Sequence, residues 1–139
     1  RLDVGRAFDS LGLDRIGFHD RTIMPDQTHS LTAAEFLEGI GDVILSRRGM
    51  GTSYHLAVVV DDAAQGITLV TRGKDLFDST WIHVLLQRLL DLPTPDYAHH
   101  RLIRDAEGRR LAKRDDARAI RHYRGEGATP ADIRRMVGL

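Results

Sequence analysis

The side chains with chemical potential gather in three stretches. In SYHLAVVVDDAAQGITLVTRGKDL, residues 53–76, an apolar run from Leu56 to Val60 meets two adjacent carboxylates, Asp61 and Asp62. A second apolar run ends on Arg72, followed by Gly73. Neighbouring carboxylates compete for one proton and coordinate Mg²⁺ well; the plainer reading is a loop entry where one acid caps backbone N–H groups. A guanidinium offers a planar fork for a carboxylate or phosphate, and the glycine beside it admits a close backbone approach. An ion pair with Asp75 or Asp78 is the structural alternative for Arg72. In DAEGRRLAKRDDA, residues 105–117, a turn leads into Arg109, Arg110, Lys113 and Arg114. Positive charge on such a loop suits a triphosphate, whose oxygens gain charge as pyrophosphate departs; a basic surface loop without a ligand is the alternative. The third stretch holds His99 and His100. Adjacent side chains on a strand point to opposite faces, and no third ligand lies at a zinc-site offset, so the pair does not make a metal site.

Composition narrows the classes. The 139 residues, 42% of them hydrophobic, suffice for about one domain with a packed core. No apolar run is long enough for a membrane-spanning helix, and the opening RLDVGRAFDSLGL lacks the apolar centre of a secretory signal. A cytoplasmic location without membrane partners is the default expectation. There is no cysteine, hence no disulfide, thiol nucleophile or thiolate zinc site within this piece. The formal charge of zero divides unevenly: residues 1–100 hold 9 Lys/Arg against 14 Asp/Glu, residues 101–139 hold 11 against 6. A basic carboxyl-terminal part is the footprint of a phosphate-rich partner, ATP or nucleic acid, or else a solvated helical face. The fingerprints of phosphate-binding loops, dinucleotide folds and serine hydrolases do not occur. The chain opens on Arg1 inside an amphipathic pattern, which suggests a portion of a longer protein.

The elements that must position these residues follow from periodicity. Residues 1–11 read as a short helix, and Thr32 with Glu35 has capping-box spacing ahead of a second. GDVILSR reads as a strand, with a turn at Gly49–Gly51. Continuous apolar runs at Tyr54–Val60 and Ile67–Thr71 read as central strands buried on both faces, with Asp61, Asp62 and Arg72 at their carboxyl ends. Ile82, Leu85, Leu86, Leu89 and Leu90 recur at helical spacing after Asp78 or Ser79, until LPTP stops the helix. A helix starting at Asp115 or Asp116 runs through ARAIRHYR, and Thr129–Pro130 opens a last one that Gly138 ends. The fold class is α/β.

In this order the motifs GDVILSRR, SYHLAVVVDDAAQGITLVTRGKDLFDST, LPTPDYAHHRLIRDAEGRRLAKR and ATPADIRRMVGL resemble the glutamyl-tRNA synthetase superfamily of class I synthetases over roughly residues 41–139. They are most similar to its short branch, the glutamyl-Q tRNA(Asp) synthetases, since RGKDL with Leu76 departs from the Glu-Asp-His that full-length synthetases more often carry.

The resemblance implies a class I, Rossmann-like nucleotide-binding catalytic domain with a helical carboxyl-terminal segment. Residues 1–40 would end the preceding segment, 41–114 would form the second half of the catalytic domain, and 115–139 the helical segment. It implies ATP-dependent activation of glutamate and transfer to the queuosine base of tRNA(Asp), with ATP and Mg²⁺ as cofactors, by a monomer. Tyr54 and Arg72 match the glutamate-holding positions. Arg110, Leu111, Ala112, Lys113 and Arg114 match the nucleotide loop Lys-Met-Ser-Lys-Ser, with Lys113 on its catalytic, phosphate-binding lysine. Ala112 replaces a serine there and loses a hydroxyl donor. The signature related to His-Ile-Gly-His, the first glutamate-binding segment and a cysteine-bearing zinc insertion would all precede residue 1. Two alternatives stay open: part of a glutamyl-tRNA synthetase that charges the tRNA terminus, or a non-catalytic nucleotide- or RNA-binding remnant.

Overall fold

The computed structural model describes residues 1–22, 27–49, 51–104, 107–108 and 119–139. The chain divides into two compact units, Arg1–His100 and Arg101–Leu139, and the division falls where the charge balance changes sign.

In the first unit, α1 (Val4–Leu11) starts at Asp3, whose side chain accepts from the Arg6 amide, and ends at Gly12 in the left-handed region. It is followed by β1 (Arg15–Asp20), β2 (Gln27–Thr32) and α2 (Ala33–Gly39). The expected capping box is present: Thr32 caps the Glu35 amide and Glu35 reaches back to the Thr32 amide. Then come β3 (Ser46–Arg47), β4 (Gly51–Thr52), α3 (Tyr54–Ala64), β5 (Leu69–Gly73), a 3₁₀ turn at Lys74–Leu76, α4 (Phe77–Leu89) and β6 (Asp96–His100).

The main sheet has the order β2-β1-β6-β5. β1 pairs antiparallel with β2, from Arg15 opposite Thr32 to Asp20 opposite Gln27, and parallel with β6. β5 also runs parallel to β6. Gly17 is needed where β1 meets β2, because a Cβ there would lie 2.7 Å from the His29 carbonyl oxygen. Phe18 on β1 is the hub of the core, with Trp81 at 4.7 Å, Tyr97 at 5.3 Å and Phe77 at 5.6 Å between ring centroids. Trp81, Val84 and Leu85 of α4 are buried with Val4, Ala7 and Phe8 of α1, and Phe36 of α2 meets Phe8 edge-on. Edge-to-face pairs at these separations add to the burial of the rings.

Several expectations are corrected. Tyr54–Val60 is helix, not strand: Ser53 accepts from the Leu56 amide, and the chain leaves the helix through Gly66 at φ +66°. The Gly66 amide bonds to Ala63 O and the Ile67 amide to Asp62 O, the Schellman pattern. A continuous apolar run is compatible with a buried helix as well as a buried strand, and the two caps decide the matter here. Only Val59 of the run is fully buried, and Val60 is exposed. Asp61 and Asp62 therefore belong to the last turn of a helix, not to the end of a strand. Of GDVILSR, only Ser46–Arg47 forms a strand, paired with Gly51–Thr52, while Val43 makes an isolated bridge to Leu2. β5 does form at Leu69–Gly73, but as an edge strand with Leu69 exposed, so it is not buried on both faces. α4 forms as expected but starts earlier, at Phe77, with Leu76 in the cap position and no side-chain cap, so Asp78 and Ser79 lie inside its first turn; Leu90 is exposed, and Trp81 and Val84 share the buried face.

The second unit holds α5 (Ile120–Gly125) and α6 (Pro130–Met136). α6 opens as its sequence implies, with Thr129 as cap, Pro130 in the first turn and Asp132 completing a capping box. α5 begins later than expected: Ala119 is its extended N-cap, so the helix starts at Ile120 and is not continuous from Asp115 or Asp116, which themselves lie outside the described residues.

Candidate functional site

The three parallel strands of the first unit end on the same polar cluster. Asp20 closes β1, Arg72 is the next-to-last residue of β5, and His99 holds the same place in β6, directly opposite Arg72 in register. The carboxyl ends of parallel strands are where open α/β sheets bind ligands, since the loops and helix starts beyond them are free to vary. α4 covers this end with Thr80 and His83, and the first turn of α3 brings Tyr54 and His55.

Arg72 is 8% exposed. Its Nε donates to His99 Nε2 at 3.1 Å, Nη1 donates to His83 Nδ1 at 3.1 Å, and Nη2 donates to Thr80 Oγ1. The guanidinium carbon lies 5.0 Å over the Tyr97 ring. Tyr97 stacks on His99, with 10° between the ring planes, and its hydroxyl accepts from Gln87 Nε2.

Because guanidinium only donates, each imidazole must present a bare nitrogen to it. His99 offers Nε2, so its proton is on Nδ1, which donates to Asp20 Oδ2 at 2.6 Å. The Thr80 hydroxyl lies 2.9 Å from the same Nε2, accepts from Arg72 Nη2 and has the Leu76 carbonyl oxygen, 3.4 Å away, as acceptor for its own proton. His83 offers Nδ1, which leaves its Nε2 proton to bond His55 Nδ1 at 3.1 Å. The cluster is therefore a directed set of hydrogen bonds in which Arg72 is held by neutral groups.

The electrostatics agree. Burial pushes the His83 pKa down to about 3, with Arg72 and His55 adding to the shift. Burial and then Arg72 lower His55. Burial lowers His99 as well, outweighing the opposite pull of Asp20. Burial alone would raise the Asp20 carboxyl, which is fully enclosed, but hydrogen bonds from Thr22 and His99 hold it below its ordinary value. The pair is thus a carboxylate against a neutral imidazole. Burial depresses Arg72 too, offset by Tyr97, by Tyr54, which also shares a side-chain hydrogen bond with it, and by Asp62. Tyr54, bonded to this buried arginine, is itself 55% exposed.

Of the residues singled out in the sequence, Tyr54 and Arg72 are brought together across α3 and β5. Asp62 feels the Arg72 charge, yet burial and then Asp61 raise its carboxyl, while Asp61 faces solvent. Arg110, Leu111, Ala112, Lys113 and Arg114 lie outside the described residues. Asp20, His55, Thr80 and His83 carried no sequence signal, and His99 was considered only as half of a metal-binding pair. Among the described residues, no group of three His, Cys, Asp or Glu could hold a metal ion.

This arrangement can bind a carboxylate: a desolvated, pre-oriented guanidinium beside a phenol that donates or accepts. Known proteins agree in kind. The model of the tRNA synthetases class I (E and Q) catalytic domain matches residues 20–139. A glutamyl-Q tRNA(Asp) synthetase of Rhodobacter capsulatus is 65% identical over 111 residues, 80% of this chain and 40% of that protein. One from Xanthomonas oryzae is 48% identical over 95 residues, 68% of this chain and 32% of the relative. The chain thus spans well under half the length of these curated relatives. Two solved structures are each 30% identical over 73% of this chain and 19% of the neighbour. They are a glutamate-tRNA synthetase from Elizabethkingia anophelis, TM-score 0.58, and a glutamate tRNA ligase from Elizabethkingia meningosepticum in complex with its amino acid, TM-score 0.59. The chain belongs to the class I tRNA synthetases for glutamate and glutamine, as part of their catalytic domain.

Proposed function

We propose that this chain supplies the part of a glutamyl-Q tRNA(Asp) synthetase that grips the glutamate substrate, in an enzyme that activates glutamate with ATP and transfers it to the queuosine base of tRNA(Asp). The observation that carries the reading is the setting of Arg72: a buried guanidinium, bonded to neutral partners and hydrogen-bonded to the exposed Tyr54. An arginine answered by a protein carboxylate would have little charge left for a ligand; this one keeps it. The 65% identical relative supports the choice of branch.

In the reaction, an oxygen of the glutamate α-carboxylate attacks the α-phosphorus of ATP, the bond to the bridging oxygen breaks, and pyrophosphate leaves. A nucleophile of queuosine then attacks the acyl carbon of glutamyl-adenylate and AMP departs. Arg72 and Tyr54 contribute by fixing a carboxylate of glutamate in place, which converts an encounter between two anions into an oriented one. Burial of the arginine strengthens that contact, because the local dielectric is low. Class I synthetases use ATP and Mg²⁺. Lys113, expected to neutralise the triphosphate, and the rest of its loop are outside the described residues, and among the described residues no side-chain group fits a bound metal, so no step is routed through one.

The alternative acceptor, the terminus of tRNA, has a specific observation in its favour: both solved neighbours are glutamate-tRNA synthetases or ligases. Labelled glutamate offered to the complete enzyme with queuosine-containing tRNA(Asp), queuosine-free tRNA(Asp) and tRNA(Glu) separates the two. Incorporation only into queuosine-containing tRNA(Asp) supports the proposal. Incorporation at the terminus of tRNA(Glu) would overturn it in favour of the alternative, and no incorporation would favour a binding remnant.

A further inference from the structure

Arg72 does not hold its own orientation. Its side chain needs an acceptor at Nε, and the acceptor provided is an imidazole, which has two tautomers of opposite hydrogen-bonding sense. With the proton on Nδ1, His99 Nε2 accepts from Arg72 Nε. With the proton on Nε2, it would confront the Arg72 Nε–H donor at 3.1 Å, while the Thr80 hydroxyl at 2.9 Å can turn to accept. The choice falls to Asp20. Its carboxylate is fully buried, lies 2.6 Å from His99 Nδ1, and can only accept. Asp20 is itself immobilised by the Thr22 amide at 2.9 Å and the His99 amide at 3.4 Å. The chain of bonds thus runs from the end of β1 through the end of β6 to the end of β5, and its last member, Arg72, bonds the exposed Tyr54.

We infer that Asp20 and His99 are positioning residues for substrate binding, Asp20 locking His99 in the Nδ1-protonated tautomer so that Nε2 aims the Arg72 guanidinium at a substrate carboxylate. Neither residue touches the ligand; both act through Arg72. This rests on the proposal that Arg72 holds glutamate.

The test uses the complete enzyme with Asp20→Asn, His99→Gln and the double variant. Asparagine keeps the shape of aspartate but brings an amide donor to Nδ1, which favours the wrong tautomer, as in catalytic triads whose aspartate is replaced by asparagine. Glutamine places an amide oxygen near the Nε2 position and has no tautomer to lose. Long-range ¹⁵N–¹H NMR of the histidine rings should report Nδ1–H for His99 in the wild type and Nε2–H in Asp20→Asn. The glutamate KM of Asp20→Asn should rise about 10- to 100-fold, the scale of one lost charged hydrogen bond, with the ATP KM little changed. His99→Gln should be milder, and adding Asp20→Asn to it should cost no further glutamate affinity.

An Nε2–H ring in the wild type would overturn the inference, as would an unflipped ring in Asp20→Asn, a flip that leaves the glutamate KM unaltered, or equal increases for glutamate and ATP. If the wild type shows no dependence on glutamate, the functional reading fails. The ring tautomers and the Arg72 Nε–H resonance, which should shift in Asp20→Asn, still decide whether Asp20 orients Arg72.

Discussion

Arg72 and His99 face each other directly across the pairing of β5 with β6, and the guanidinium Nε donates to the imidazole Nε2 over 3.1 Å. Register thus delivers a cation and its neutral acceptor to the same face of the sheet. It also makes Arg72 a structural and a binding residue at once, so its substitutions should be felt in both measurements.

Arg72→Lys is expected to lose glutamate binding and to lower stability by about 1–3 kcal/mol, because an ammonium cannot reach His99, His83 and Thr80 together and leaves buried polar atoms unpaired. Tyr54→Phe removes the hydroxyl that bonds Arg72 and should weaken glutamate binding by about 1 kcal/mol, with a stability loss smaller than that of Arg72→Lys. Isothermal titration of glutamate and urea unfolding of both variants check this. Wild-type glutamate affinity in Arg72→Lys would move the amino-acid site elsewhere.

Stability should fall with acid before any carboxylate titrates. His83 has its pKa depressed to about 3 in the folded chain, whereas an unfolded histidine protonates near 6.5. Between these values the unfolded state carries the extra proton, so stability declines as pH falls, by up to about 1.4 kcal/mol per pH unit from this one group. His55 and His99 are lowered too and act with the same sign. Asp20, held below its ordinary value, contributes stability that is lost further down, as pH falls through its folded pKa; Asp62, raised, opposes the slope just above the ordinary carboxylate range. Urea unfolding at about pH 7.5 and about pH 5 should show a smaller loss in His83→Gln than in the wild type. Equal losses would mean that His83 is not held neutral.

The helical reading of residues 54–64 predicts a cost at each end. Ser53→Ala removes the cap on the Leu56 amide and should destabilise by about 1 kcal/mol. Gly66→Ala forces a Cβ into the left-handed region, at about 1–2 kcal/mol. Both should reduce helical circular dichroism alongside melting temperature. Were this segment a strand, neither change would touch helix content.

Those two residues also show how much the sequence disclosed. Ser53 and Gly66 are legible cap signals, but the intervening Leu56–Val60 run is continuous, which points to a strand buried on both faces although a buried helix has the same pattern. The two caps hold the β-branched valines in a helix that propensity alone disfavours. α4 was legible because its apolar residues repeat, and α2 and α6 because their capping boxes are local. β2 was not, since QTHSLT is a polar edge strand specified by its pairing with β1. The site divides the same way. Tyr54 and Arg72 could be marked from their motif, whereas Asp20 reaches His99 from 79 positions away, a contact created only when β1 and β6 come together.

Glutamate-dependent ATP–pyrophosphate exchange, run without tRNA on the complete enzyme and on its Arg72→Lys variant, decides whether Arg72 holds the amino acid. The account predicts exchange by the wild type in the absence of tRNA and its collapse in the variant at any attainable glutamate concentration. Exchange that survives Arg72→Lys unchanged would contradict the assignment of the glutamate site, and exchange that requires tRNA would contradict the choice of branch.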